Sequence, residues 1–328
     1  MPGIFCWSRE RPFDGSTAPH RELRLPDKNN GLEDTMAYVT EKTLTDIAMQ
    51  RWEQTHDPRL REIMMALVKH LHAFVREVEL TEEEWISAIM WLTRTGQLCT
   101  DKRQEFILTS DVLGVSMLVD AINHRFAGGT TPSTVQGPFF IPNSPELQMG
   151  ADMSTGAKGE PCYVSGVIRD VDGKPVDGAL VDVWQADGDG LYEAQIAGQE
   201  DAYLRALYRT GPDGRYCVRT IVPLGYAIPM DGTVGDLIYK TDISYFRPAH
   251  IHFLIDAPGY DRLVTHLFKE NTEYLDSDVV FGVKPELITP FRQMPAGPTP
   301  AGDVSDEPFF AVSYDFVLNK KAVARKAA

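Results

Sequence analysis

Eight histidines are spread over this chain of 328 residues. Two pairs of them stand two residues apart, His70 with His72 and His250 with His252. What that spacing can do depends on the backbone that carries it. On a helix two residues subtend about 200°, so their side chains diverge and cannot share an ion. His70 and His72 lie in a run whose apolar residues recur at helical spacing, and they read as helix-surface or interface residues. On a strand, i and i+2 face the same way. His250-Ile251-His252-Phe253 continues from Arg247-Pro248-Ala249 in a strand-like stretch, and two imidazoles on one sheet face make half a transition-metal site. Ordinary polar alternation gives the same pattern, so the pair alone leaves both readings open.

The elements that must position such a pair are legible in outline. From about Thr40 to Phe126 the chain is helical in pattern, with Leu44, Ile47, Ala48 and Trp52 on one face of a first helix. Asp57-Pro58 supplies an N-cap and a first-turn proline for a second, and Thr81 with Glu84 forms a capping box for a third. Two further helices are predicted over Lys102 to Thr109 and Val112 to Arg125. The second helix is apolar over a wide arc that includes Ile63, Met65, Ala66 and Phe74, which predicts a packing partner in a second subunit.

After Gly128-Gly129 the pattern changes. Cys162 to Arg169, Ala179 to Gln185, Arg215 to Ile221, His250 to Ile255 and Phe309 to Val317 read as strands, with hairpin signals at Asp172-Gly173 and Asp213-Gly214. Many short strands at close spacing predict a sandwich. The expected class is α+β, with an irregular N-terminal arm over 1–35, a helical linker and dimerisation domain over 36–128, and a mostly antiparallel β-sandwich over 129–328 that ends in a basic tail from Asn319.

Composition narrows the function classes. A formal net charge of −15 argues against a nucleic-acid binder, which needs clustered cations against phosphate. No run of about 18 apolar residues is present for a membrane span, and the first thirty residues lack the basic-then-apolar order of a signal peptide, so a cytoplasmic location is expected. The four cysteines, Cys6, Cys99, Cys162 and Cys217, form no Cys-x-x-Cys pair and read as reduced thiols.

The histidine pair gains meaning from its surroundings. Gly137-Pro138-Phe139-Phe140, Leu191-Tyr192 after a Gly-rich turn, Pro223-Leu224-Gly225-Tyr226 and Arg247-Pro248 before the histidines, taken in that order, resemble the intradiol ring-cleaving dioxygenases. The resemblance runs from about Thr40 to Val317. It implies a catalytic sandwich domain holding one non-haem iron(III) per chain on two tyrosinates, Tyr192 and Tyr226, and two histidines, His250 and His252, with no organic cofactor. A hard trivalent cation favours anionic oxygen donors and lowers a phenol's pKa from about 10. The same resemblance implies an aromatic diol or triol and O2 as substrates. Tyr226, Arg247 and His266 take the catalytic roles, the guanidinium stabilising negative charge on the activated substrate. A homodimer through the helical domain, with a lipid at the interface, is implied as well.

Within that family the segment Phe106 to Asp111 supplies a pocket wall, and two features of the sequence lean toward hydroxyquinol, 1,2,4-trihydroxybenzene. Asp111 stands one helical turn after Leu108, where its carboxylate can accept a bond from a third ring hydroxyl; the bland alternative is a cap for the following helix. Ile228 stands in Tyr226-Ala227-Ile228-Pro229 where catechol-cleaving relatives often have Cys. Val135, Gly137, Pro138, Phe139, Pro229, Arg247 and Val280 complete the expected pocket, and the run Tyr274 to Phe281 resembles the hydroxyquinol branch. Catechol or chlorocatechol is the runner-up substrate. A non-catalytic β-sandwich binding module is the rival of another class. Asp187-Gly188-Asp189-Gly190 lacks the later acidic ligand of a calcium loop and reads as a plain turn.

Overall fold

The structure, a computed structural model, describes residues 39–125, 128–199 and 201–321. The predicted arm over 1–35, Cys6 and the end of the basic tail lie outside the described residues. The chain divides into two compact units, with the boundary between Met90 and Trp91.

The first unit holds α1 (Leu44–Trp52), α2 (Pro58–Glu77) and the opening turns of α3 (Glu82–Leu98). Asp57 caps α2 by accepting from the Arg59 and Leu60 amides at 2.8 and 2.9 Å. Thr81 and Glu84 close the reciprocal box expected of them, at 3.0 and 3.2 Å. Along α2 the apolar residues Ile63, Leu67, Leu71, Phe74 and Val78 stay exposed. His72 bonds Thr45 through Nδ1, and His70 is exposed, so the helical pair makes no metal site.

The second unit begins with the rest of α3, α4 (Glu105–Val112) and α5 (Val115–Asn123). The break expected between Thr109 and Val112 falls later, at Gly114, whose φ of 71° is left-handed and suits a residue without Cβ. Asp111 therefore stays in the last turn of α4, and Gly114, not Asp111, is the N-cap of α5.

The sandwich that follows packs two five-stranded sheets. In the first, β1 (Pro161–Asp170) lies antiparallel to β4 (Arg215–Ile221) and parallel to two late strands, β13 (Phe309–Ser313) and β14 (Phe316–Leu318); β10 (Arg292–Met294) lies antiparallel to β13 on its far side. The second runs β3 (Arg205–Arg209), β2 (Leu180–Trp184), β7 (His250–Asp256), β8 (Leu263–Lys269) and β9 (Ile288–Thr289). Two small ladders pair β5 (Tyr226–Ala227) with β6 (Phe246–Arg247), and β11 (Gly297–Pro298) with β12 (Val304–Ser305). The short helix α6 (Thr233–Ile238) follows β5.

The sheets are mixed, since β1 pairs in parallel with β13 and β14, and β8 with β9. The single last strand expected over Phe309 to Val317 is two strands, because β1 changes partner near Gly166. Asp213-Gly214 is a turn but not a hairpin: β3 and β4, on either side of it, belong to different sheets. Turn chemistry fixes a local reversal only, and the buried faces of the strands decide which partner each one finds.

Between the sheets Val164, Ile168, Val218 and Phe316 meet Val181, Val183, Ile251, Phe253 and Leu267 in one core. Strand alternation then fixes where the chemistry lies. Ile251, Phe253 and Ile255 of β7 point into the core, so His250 and His252 point out of the opposite face. Among the described residues no helix is long and apolar enough to cross a membrane.

Candidate metal centre

On that outer face β8 lies antiparallel to β7 in a register that sets His266 directly opposite His252. On the other side, β2 sets Trp184 opposite His252, and the indole stacks on the imidazole at 4.6 Å and 16°. Tyr192 reaches the same spot from the end of the turn 187–190. Asp187 folds that turn on itself by accepting from the Asp189 and Leu191 amides, as expected of a plain turn. Phe139 stacks on the Tyr192 ring at 4.3 Å, and Gln195 accepts from the Tyr192 amide at 2.9 Å. Tyr226 enters from β5, opposite Arg247 of β6.

The polar atoms converge. Tyr192 Oη stands 2.9 Å from His252 Nε2 and 3.4 Å from His250 Nε2, and the two Nε2 atoms are 3.1 Å apart. The His250 Nδ1–H donates to the Pro248 carbonyl at 2.6 Å, which leaves Nε2 as a lone pair facing the cluster. Burial holds His250 and His252 well below the ordinary histidine range, so both imidazoles are neutral donors. Burial likewise raises Tyr192 and Tyr226 above the ordinary phenol range, with Arg247 opposing it at both. Phenols this reluctant to ionise, beside lone pairs at such short separations, are the arrangement a cation would resolve, by drawing the lone pairs together and holding the phenols as phenolates. His250, His252 and His266 each offer a ring nitrogen within 4.8 Å of the others.

Arg247 completes the centre and is itself buried. Its Nη1 donates to His250 Nε2 at 3.2 Å, while Nε and Nη2 donate to the Asp278 carboxylate at 3.0 and 3.3 Å. Burial disfavours the Arg247 charge, but Asp278 outweighs that and keeps the guanidinium protonated. Asp278 was not among the expected site residues. The only signal in the sequence was its place in the run Tyr274 to Phe281, with a partner 31 residues away. Thr134 was missed too; its hydroxyl bonds His266 Nδ1, leaving His266 Nε2 buried without a partner.

Two matches cover most of this architecture: residues 135–320 match the family profile described as Dioxygenase, and residues 57–131 the one described as Catechol dioxygenase N terminus. The chain is 49% identical to a 6-chlorohydroxyquinol 1,2-dioxygenase of Cupriavidus pinatubonensis, over 87% of this chain and 99% of that protein. It belongs to the intradiol ring-cleavage dioxygenases. A hydroxyquinol 1,2-dioxygenase of Nocardioides simplex is 47% identical over 85% of this chain and 95% of its own length. Among solved structures, the hydroxyquinol 1,2-dioxygenase of Pseudomonas putida DLL-E4 superposes with a TM-score of 0.77 at 47% identity, covering 86% of this chain and 99% of that one. The catechol 1,2-dioxygenase of Pseudomonas arvilla C-1 gives 0.74 at 28%, with 87% and 94% covered.

The expected pocket residues of this dioxygenase fall into three groups. Leu108, Pro138, Phe139, Ile228 and Pro229 line a cavity of about 750 Å³. Val135 and Val280 pack with Leu108 and Ile228 in one buried cluster, and the Gly137 backbone runs beside the His252 ring. Asp111 does not line the cavity. It is buried to 1% exposure, and neither carboxylate oxygen has a hydrogen-bond partner. Burial pushes its pKa up to about 6, with Ser116 and Arg247 opposing.

Proposed function

We propose that this chain cleaves hydroxyquinol between its two adjacent hydroxyl-bearing carbons, taking up O2 and giving the ring-opened product that tautomerises to maleylacetate. Tyr192, Tyr226, His250 and His252 would hold one iron(III), since two phenols able to become phenolates and two neutral imidazoles match a hard trivalent cation. Iron held there would supply Lewis-acid chemistry, which favours the deprotonated diol and its reaction with O2. Tyr226, beside Arg247, is the phenolate placed to accept a proton from the incoming diol. Arg247, fixed by Asp278, offers its guanidinium to the negative charge that proton loss leaves on the substrate. His266, held by Thr134, has Nε2 free to hydrogen-bond an oxygen of the reacting ring.

The choice of a triol is supported first by the relatives at 47 and 49% identity, both named for hydroxyquinols, and then by Asp111, which lies off the cavity one turn from the Leu108 wall. A buried carboxylate with no partner is costly, and a third ring hydroxyl seated past Leu108 would supply the donor it lacks. Its position inside α4, with Gly114 as the N-cap of α5, favours this reading over a helix cap.

The test is a substrate panel of hydroxyquinol, catechol and 4-chlorocatechol with O2 uptake recorded for wild type and Asp111→Ala. A charge-assisted bond contributes about 1.5 to 3 kcal/mol, so the variant should lose about ten- to a hundredfold in kcat/KM on hydroxyquinol. Catechol turnover should hold or improve. An equal loss on both substrates, or a wild type that prefers catechol, defeats the proposal.

The helical region is read as a dimerisation domain. Its exposed apolar residues and a cleft of about 390 Å³ within the first unit, lined by Leu44, Val75, Leu80 and Trp85, suit a second subunit with a lipid between. Free Cys99, Cys162 and Cys217 support a reducing, cytoplasmic setting.

A further inference from the structure

The cavity, which borders the metal centre through Phe139 on the Tyr192 ring, has two walls on different elements: Leu108 on α4, and Ile228 with Pro229 on the segment after β5. Neither wall carries a donor of the metal centre on a shared rigid element except through Tyr226, two residues before Ile228. What fixes the distance between them is a set of charged side chains at the cavity rim. Arg103, just before α4, donates from Nη1 and Nη2 to Asp231 at 2.8 and 3.0 Å. It also donates from Nε and Nη2 to Glu105 Oε2 at 3.2 and 2.9 Å. The other oxygen of Glu105 accepts from the Val234 amide at 3.1 Å and the Thr233 hydroxyl at 3.3 Å. Glu105 is as buried as any core residue, while Asp231 is exposed.

We infer that Arg103, Glu105 and Asp231 form a clamp that sets the width of the substrate slot, and that they are positioning residues for the aromatic substrate. Glu105 stands one turn before Leu108 on the same helical face, so tying Glu105 to 231–234 ties the Leu108 wall to the chain that carries Ile228 and Pro229. The approach is close: a Cβ at Gly232 would fall 2.3 Å from Glu105 Oε1 and 2.4 Å from Arg103 Nη2, so a side chain there would displace the clamp's own groups. Arginine suits the post because its planar fork can engage two carboxylates at once, which a lysine ammonium cannot do with fixed geometry. The clamp touches neither Tyr192, Tyr226, His250 nor His252, so it should act on how the substrate is held and not on how the metal is held.

The inference rests on the proposed reading of the cavity as a diol site, and its test separates the two. Wild type, Arg103→Met, Arg103→Lys and Asp231→Asn are compared, with the double variant Arg103→Met/Glu105→Gln added because the single Met change strands a buried carboxylate. For the diol that wild type prefers, Arg103→Met and the double variant should raise KM by about three- to tenfold, a scale set by loss of precise positioning, with kcat within about twofold. Arg103→Lys should recover part of that loss. The visible absorption of the iron-loaded protein should not move. Independently of turnover, hydrogen exchange in the peptide containing Val234 should quicken by about an order of magnitude as its amide loses a fixed acceptor.

An unchanged KM with unchanged exchange overturns the clamp, as does a parallel collapse of kcat and KM with a shifted spectrum. If wild type cleaves no diol at all, the proposed function falls, and the exchange measurement alone decides the clamp.

Discussion

A phenol sealed from water keeps its proton, and Tyr192 and Tyr226 are both raised by burial at the point where lone pairs of His250 and His252 crowd together. A cation bound at that point, as proposed, would turn the expense of burying them into ligation. Tyr192→Phe or Tyr226→Phe removes an anionic oxygen donor, so the iron-loaded protein should lose or shift its phenolate-to-iron colour and turnover should collapse. A colourless, zinc-loaded wild type that still opens diols would contradict the assignment. Asp111 presents the opposite case, a buried carboxylate left without a hydrogen-bond partner. Its folded pKa of about 6 lies above the ordinary aspartate value of 3.8, so between those values the folded state holds a proton that the unfolded state gives up. Stability from this group is therefore present below about pH 4, falls as pH rises, and is gone above about pH 6. Asp111→Asn should match wild type in thermal unfolding near pH 4 and exceed it at pH 8, by no more than about 3 kcal/mol from a shift of roughly two units. A constant difference across that range would mean that the carboxylate is not the titrating cause.

Elements explain why some of the site could be read from sequence and some could not. His250 and His252 were legible as a same-face pair because a strand repeats every two residues, and the apolar Ile251 and Phe253 between and after them declared which face is core. His266 as their neighbour was not, because it depends on the register of β7 against β8, which no local pattern records. Asp278 was hidden for a similar reason: an acidic residue in a loop shows nothing of a buried arginine at the end of β6. The caps at Asp57 and Thr81 are local and came out as expected, whereas Asp213-Gly214 signalled a hairpin and delivered a crossing between sheets. Gly166 shows the same limit and supplies a test. There β1 passes from β13 to β14, and a Cβ would stand 1.8 Å from the Tyr314 carbonyl oxygen. Gly166→Ala must push that backbone aside, so it should cost about 1 to 3 kcal/mol or more in unfolding, as overpacking of a tight site does. A variant as stable as wild type would show that the two late strands can shift freely along β1.

At the scale of the whole molecule the two units differ in how completely they bury their apolar residues. The sandwich closes around a core in which Val164, Val181, Val183, Ile251, Phe253 and Phe316 are sealed. α2 of the first unit buries no residue fully, and Ile63, Leu67 and Leu71 stand exposed four apart along one stripe, continued by Phe74 and Val78. A contiguous apolar stripe of that length is unusual on a chain that works alone, and burying such surface stabilises by roughly 25 cal/mol per Å². A second copy of the same stripe is its simplest cover, because a two-fold axis lets one patch be its own complement. Wild type should therefore sediment as a dimer at micromolar concentration. Ile63→Lys and Leu71→Lys place charges on the stripe without touching the sandwich, so each should shift the equilibrium toward monomer while the iron-bound colour remains. The pair should be more dissociating than either alone, since both charges would be buried in the same contact. A wild-type chain that sediments as a monomer at that concentration, or a double variant that remains a dimer, would place the cover of α2 elsewhere.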